Sequence, residues 1–165
     1  MISGHCEADF IISLDASGSI SEDDWGYAVS MTRTLVNVIH EASELGKTSR
    51  LGMFRFSGEI ANQLLDLAAN GEYYVVDGII QNLDKVQAGG GTKLFRAVTD
   101  ATAMFDRNVR PIGGGDIASR TLIIFTDADP NERTDKTLRQ LKMLMDKGIH
   151  VVMIGKQLVN DATQG

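Results

Sequence analysis

The sequence predicts an α/β fold: a doubly wound, mostly parallel central sheet with one antiparallel edge strand and helices on both faces. Two observations lead to this prediction. Four short apolar segments have the length of strands, and segments with an apolar repeat of 3.6 residues lie between them. Such alternation of strands and helices is typical of parallel sheets that are covered on both sides.

The four predicted strands are rich in residues that favour β-structure. They cover residues 10–14, 51–56, 122–125 and 151–154. Three of these segments are almost continuously hydrophobic, which predicts strands buried on both faces. Ser57 and Gly58 precede a further extended segment, residues 59–67. This arrangement predicts a hairpin that adds the antiparallel strand at the edge of the sheet.

Four segments carry the apolar stripe of a helix. The first begins after Ser21, where Ser21 and Asp24 resemble a helix-start signal, and its stripe extends to Ile39. The other stripes cover residues 74–83, 94–105 and 138–145. Gly148 follows the last stripe as a C-terminal cap. The length of the chain suits a single domain over residues 1–165.

The composition excludes several classes of function. A net charge of −6 argues against binding to nucleic acid or to a membrane surface, both of which need a basic face. No segment approaches the roughly 18 apolar residues of a membrane span, so no direct membrane insertion is expected. Residues 1–5 lack the features of a signal peptide. The lone cysteine, Cys6, is either a free thiol or the partner of a cysteine outside this segment.

Oxygen-bearing side chains follow the predicted strands, where parallel sheets bind their ligands. Asp15, Ser17 and Ser19 follow the first strand, Asp127 follows the strand at 122–125, and Thr92 precedes a helix. Carboxylates and hydroxyls suit Mg2+, with Mn2+ or Ca2+ as alternatives, whereas zinc and copper prefer His or Cys. Two carboxylates nearly neutralise a divalent ion. If one acid binds the ion only through water, or the ion keeps an open position, the ion can still accept a carboxylate from elsewhere.

These three motifs together resemble the metal-ion-dependent adhesion site of von Willebrand factor type A domains, also called integrin inserted domains. The resemblance covers about residues 7–157. It implies a Rossmann-like fold and a non-catalytic adhesion or protein-interaction module that binds a Glu or Asp of a partner protein. It also implies an extracellular or cell-surface location within a larger protein. By resemblance, the metal ligands are Asp15, Ser17, Ser19, Thr92 and Asp127.

A second resemblance is to the adhesins of apicomplexan parasites, the thrombospondin-related anonymous protein and its relatives. It rests on Cys6 before the first strand, Trp25 after the metal motif, and residues 146–149 before the last strand. The loops at residues 19–25, 89–94 and 128–133 are expected to select the partner. The candidate contacts in or beside these loops are Trp25, Gly91 and Lys93.

The sequence departs from the family pattern at three points. Ala128 stands where the family usually has glycine, and Asp129 after it is a candidate for orienting a metal-bound water. The chain ends soon after Ile154, which predicts that the final strand and the C-terminal helix of the family are absent. By resemblance, Cys6 would pair with a cysteine in that missing tail.

Other interpretations fit these motifs less well. The glycines before Thr92 could cradle a phosphate, but the spacings of the nucleotide-binding fingerprints are not met. Residues 127–138 lack the glycine and glutamate that a calcium loop requires. Asp15 could be the nucleophile of a Mg-dependent phosphohydrolase, although the expected second acid is replaced by Ser17. An intracellular assembly or chelatase-associated module is the remaining alternative.

Overall fold

The computed structural model describes residues 7–58, 60–84, 93–111, 116–127 and 135–155. Their five strands are β1 (Ala8–Asp15), β2 (Ser49–Ser57), β3 (Ile60–Leu65), β4 (Ser119–Phe125) and β5 (Ile149–Ile154). They form one sheet in the order β3-β2-β1-β4-β5. All neighbours are parallel except β3, which pairs antiparallel with β2 at the edge. The predicted fold class and the edge hairpin are therefore confirmed.

Two layers of helices cover the sheet. The helices are α1 (Glu22–Ser43), α2 (Tyr73–Gln81), α3 (Leu94–Arg107) and α4 (Asp135–Asp146). Alternate side chains of β1 enter different cores: Ile12 and Leu14 pack with α1 and α2, whereas Ile11 packs with α3 and α4. Strands buried on both faces explain the continuous hydrophobic segments in the sequence.

Helix α1 begins as the sequence predicts. The Ser21 hydroxyl accepts a hydrogen bond from the Asp24 backbone N–H at 3.1 Å, and this bond satisfies one of the free donors of the first turn. Three acidic residues lie in the same turn, where they interact favourably with the helix dipole. This cap fixes the point at which the chain leaves the end of β1 and enters α1.

Several sequence predictions fall outside the described residues. They concern Cys6, the segment that contains Gly91 and Thr92, the segment that contains Ala128 and Asp129, and everything after Gly155. The predicted absence of a final strand and C-terminal helix belongs to this group. Among the described helices, none combines the length and the apolar character that a membrane span requires.

Candidate metal centre

The candidate site lies at the carboxyl ends of β1 and β4, at the centre of the sheet. The chain runs from β1 to β2 on one side, and β4 lies on the other side of β1. This is the point at which the strand order reverses, and it leaves a crevice where α/β proteins commonly bind ligands. The loop after β1, residues 15–19, is called the β1 loop below.

Asp15 is the buried base of this site. The residue is 2% exposed, and both oxygens of its carboxylate accept hydrogen bonds. The Ser17 backbone N–H donates to Oδ1 at 2.9 Å, and the Thr126 hydroxyl donates to Oδ2 at 2.7 Å. The Ala16 N–H also donates to the Phe56 carbonyl at 2.8 Å, which continues the pairing of β1 with β2 into the loop. The orientation of the carboxylate is therefore fixed by its neighbours.

A series of hydroxyls connects the β1 loop to the loop after β4. The Ser17 and Ser19 hydroxyl oxygens lie 3.0 Å apart, and the Ser19 hydroxyl donates to Asp127 Oδ1 at 3.1 Å. Ser17 is 1% exposed, whereas Ser19 is exposed and Asp127 is half-buried. The oxygen atoms thus extend from a buried carboxylate to a solvent-facing one.

Burial sets the electrostatics of Asp15. It raises the pKa of the Asp15 carboxyl above its ordinary value, because a charge is poorly solvated there. The hydrogen bonds from Thr126 and Ser17 oppose this change in the pKa, and the negative charge of Asp127 adds to it. A cation beside both carboxylates would favour their ionised forms and remove this unfavourable balance.

The donor set fits a hard cation. Asp15, Ser17, Ser19 and Asp127 supply carboxylate and hydroxyl oxygens, which are the ligands that Mg2+ and Mn2+ prefer. Within the described ranges, no three His, Cys, Asp or Glu side chains come together as a metal site. Thr92, the fifth predicted ligand, lies outside the described residues.

Comparison with known families agrees with this geometry. The family model of the von Willebrand factor type A domain matches residues 9–164. The chain belongs to this family. The family resemblance predicted from the sequence is thus confirmed. The comparison with curated proteins gave no significant match.

Solved structures of type A domains share the fold. Manganese-loaded TRAP protein of Plasmodium vivax superposes with a TM-score of 0.71 at 21% identity, over 92% of this chain and 59% of that chain. Proximal thread matrix protein 1 of the mussel byssus gives 0.70 at 22%, over 90% and 37%. The pilus adhesin SpaC of Lactobacillus rhamnosus GG gives 0.65 at 19%, over 95% and 25%. This chain thus spans less than two thirds of each of these proteins.

Two of these proteins have structures with a metal ion. The Plasmodium protein is loaded with manganese, and a further structure of the mussel protein has a zinc-occupied MIDAS motif, the metal-ion-dependent adhesion site. At these identities the comparison shows that the present chain has the same fold as both proteins.

The predicted partner contacts have different positions in the structure. Trp25 is 5% exposed and packs in the core between the sheet, α1 and α2, so its side chain does not form part of the outer surface. This burial favours a packing role for the indole, and the partner contact of Trp25 stays a prediction. Lys93 is exposed immediately before α3. Gly91 lies outside the described residues, as does Asp129.

The sequence alone did not reveal the role of Thr126. The residue is part of the Thr-Asp motif that marks the site, but the motif assigns no function to its hydroxyl. The structure shows that Thr126 is 7% exposed and that it donates to Asp15 from the neighbouring strand. The available signal in the sequence was a hydroxyl immediately after an apolar strand. Which group accepts the hydrogen bond from this hydroxyl depends on the pairing of β1 with β4.

Proposed function

We propose that this type A domain is a metal-ion-dependent protein-interaction module. It holds one Mg2+ through Asp15, Ser17, Ser19, Thr92 and Asp127, and the ion binds an acidic side chain of a partner protein. The observation that carries the proposal is the hydrogen-bonded series of oxygen atoms from Asp15 to Asp127, which is buried at one end and open at the other.

The charge of the site supports an acidic partner. Two carboxylates balance the charge of one divalent ion, and hydroxyls supply the remaining protein ligands. Mg2+ takes six ligands and retains several waters in proteins. An ion with exchangeable waters at the open end of the site can accept one carboxylate oxygen of a partner. Attraction of such a group depends on the metal, because the domain itself carries a net negative charge.

The residue two positions after Asp15 argues against the phosphohydrolase alternative. That alternative expects a second acid there, and the residue is Ser17, whose hydroxyl oxygen lies 3.0 Å from the Ser19 hydroxyl oxygen. We therefore propose that the domain binds a partner without turnover.

We further propose that the domain acts outside the cell or at the cell surface as part of a larger protein. The pilus adhesin among the structural relatives supports the location at the cell surface. This chain covers only 59% and 25% of two of these relatives, which supports its place within a larger protein. A receptor or matrix protein that presents Glu or Asp is the expected partner class. An intracellular assembly role remains the alternative, and a partner isolated from either compartment separates the two.

Calorimetric titration tests the metal site. Wild type is expected to bind Mg2+, Mn2+ or Ca2+ with one ion per chain, and Thr92→Ala and Asp127→Ala are expected to bind much more weakly. Asp106→Ala is the matched control, because this acid forms an exposed ion pair with Lys147 at 2.8 Å. No divalent binding by wild type, or equal binding by the two site variants, would contradict the proposal.

A carboxylate probe tests the open coordination position. Bound Mn2+ is paramagnetic, so it is expected to accelerate the nuclear relaxation of acetate methyl protons when acetate enters its coordination sphere. The effect should disappear when excess Mg2+ replaces Mn2+. If the bound Mn2+ relaxes water protons but not acetate, the site holds metal without accepting carboxylates, and the proposed mode of partner binding is wrong.

A further inference from the structure

A cavity of about 240 Å3 lies between helix α1 and the carboxyl ends of β4 and β5, and it is called the α1 cavity below. Ile20 and Phe125 line it and are buried, and Ile154 lines it and is half-buried. Tyr27 and Met31 also line it, although they are 71% and 48% exposed. The α1 cavity is therefore apolar from its buried side to the side that faces solvent.

The periodicity of helix α1 produces one side of the cavity. The helical residues that line it are separated by three or four positions, which places them on one face: Asp24, Tyr27, Ala28 and Met31. Asp24 is the acidic member of this face, and its carboxylate accepts a hydrogen bond from the Ser21 hydroxyl at 2.8 Å. Beyond this first turn the helix presents only apolar side chains to the cavity.

The α1 cavity is continuous with the candidate metal centre. Asp15, Thr126 and Asp127 line the cavity, and all three also belong to the hydrogen-bonded groups of the centre. Two of the residues proposed to hold the ion are thus part of the cavity surface. A partner residue that binds this ion brings the neighbouring residues of its own chain to the apolar part of the cavity.

We propose that the α1 cavity binds an apolar side chain of the partner, within two residues of the acid that binds the metal ion. This inference rests on the proposed function. Side chains two residues apart in an extended segment lie on the same face, about 7 Å from each other. The expected partner segment therefore carries Leu, Ile, Met or Phe beside its Asp or Glu.

The size and surface of the cavity suit this occupant. A cavity of about 150 Å3 with apolar walls binds benzene, so 240 Å3 accommodates the side chain of leucine or phenylalanine. Apolar walls with a few polar groups on one side are typical of ligand sites. An apolar occupant would also cover Tyr27 and Met31, whose exposure to water is unfavourable.

Two carboxylates test the inference on the full chain loaded with Mn2+. Acetate and 4-methylpentanoate carry the same charge, and the second adds a branched apolar chain that resembles leucine. Relaxation of their methyl protons by Mn2+ gives the Kd of each. We expect a Kd about tenfold lower for 4-methylpentanoate, because its apolar carbons are removed from water. Equal Kd values would overturn the inference and leave the proposed function intact.

Variants of α1 separate the cavity from the metal ligands. Ala28→Phe fills the cavity and Met31→Gln adds an amide to it, and neither replaces a proposed ligand. Both should abolish the preference for 4-methylpentanoate and leave acetate binding unchanged. Val38→Gln is the matched control, because Val38 is 55% exposed on the same helix and does not line the cavity. If Ala28→Phe does not fold, an unchanged preference in Met31→Gln overturns the inference.

A measurement without metal examines the cavity alone. The compound 4-methylpentanamide has the apolar chain and no carboxylate. In protein with 13C-labelled methionine methyl groups, it should shift the signal of Met31 and not that of Met143, which is 50% exposed on α4. No shift of Met31 in a protein that binds acetate through Mn2+ overturns the inference alone. Absence of Mn2+ binding contradicts the proposed function, and this inference with it.

Other occupants of the α1 cavity would give different results. A second copy of the chain would form a dimer in sedimentation experiments, and Met31→Gln would dissociate it. Residues 156–165 lie outside the described residues, and competition by this segment would make Leu158→Gln bind 4-methylpentanoate more tightly than wild type does. Either result would overturn the inference that a partner's side chain occupies the cavity.

Discussion

At the scale of single residues, the proposed metal centre depends on a carboxylate whose negative charge is poorly solvated when no cation is bound. Asp15 is buried, and its burial raises the pKa of its carboxyl. Above the ordinary pKa of an aspartate, the ionised form therefore costs the folded protein free energy when no cation is bound. Hydrogen bonds from Ser17 and Thr126 offset part of this cost. On the proposed function, this site gives up stability for metal binding.

Asp15→Asn should separate these two effects. The amide oxygen can accept the Ser17 N–H and the amide nitrogen can donate to Thr126, while the buried charge is removed. Without metal, we expect Tm to rise by roughly 2–4 °C for each kcal/mol recovered. Mn2+ binding should be lost. Scanning calorimetry and Mn2+ titration measure the two effects, and a lower metal-free Tm would contradict this account.

Thr126→Val should weaken the metal centre without changing its ligands. The substitution keeps the shape of the side chain and removes the donor to Asp15 Oδ2. We expect about tenfold weaker Mn2+ binding by calorimetric titration. Thr126→Ser retains the hydroxyl and is the control that should bind nearly as well as wild type. Equal affinities for the valine and wild-type proteins would mean that the carboxylate is oriented by other groups.

At the scale of elements, the ends of β4 and β5 approach closely beside the site. The Thr126 N–H donates to the Ile154 carbonyl at 3.0 Å. The next residue, Gly155, lies so near that a Cβ there would come within 2.8 Å of the Thr126 carbonyl oxygen. A glycine at this position allows the two strand ends to remain paired up to the residue that precedes Asp127.

Gly155→Ala should therefore affect both stability and metal binding. The contact is with backbone, so one strand end must shift, and overpacking of this kind costs about 1–3 kcal/mol. Gly26→Ala is the matched control, since a Cβ there meets open space and alanine in a helix is favoured by roughly 0.5–1 kcal/mol. Chemical denaturation and Mn2+ titration of both variants check this prediction. A destabilised Gly155→Ala with unchanged Mn2+ affinity would show that Thr126 does not move.

At the scale of the whole molecule, charge is concentrated at two opposite ends of the sheet. At the amino ends of the parallel strands, Asp9 accepts hydrogen bonds from Arg50 at 2.9 and 2.6 Å and from Arg110 at 2.9 Å. The Asp9 side chain is 2% exposed, and its hydrogen bonds raise the pKa of Arg50. This charged cluster supports the fold, and it lies at the end of the sheet opposite to the proposed metal centre.

Asp9→Asn should test the independence of the two ends. The substitution leaves two arginines without their shared counter-charge, and breaking a buried pair costs about 3–5 kcal/mol. Urea denaturation should show this loss, while Mn2+ affinity of the folded protein should stay within about twofold of wild type. A parallel loss of Mn2+ affinity would mean that the two ends are coupled through β1.

Much of the fold could be predicted from local patterns. Strand-length apolar segments, a 3.6-residue repeat and the Ser21 start signal predict most of the elements, because each reflects the conformation of neighbouring residues. The burial of Trp25 and the exposure of Met143 at 50% could not be predicted in this way. Whether an apolar side chain on a helix faces the core depends on which strands and helices surround it.

The sequence by itself predicts the chemistry of the candidate site, through the residue types and spacing of Asp15, Ser17, Ser19, Thr92 and Asp127. Oxygen ligands at the ends of parallel strands indicate a hard cation wherever those strands lie. Only the tertiary structure decided which groups orient those ligands. Thr126 reaches Asp15 because β4 pairs with β1, and Ser19 reaches Asp127 because the β1 loop lies beside the end of β4. These contacts join residues far apart in the chain, and strand pairing and helix packing alone bring them within hydrogen-bond distance.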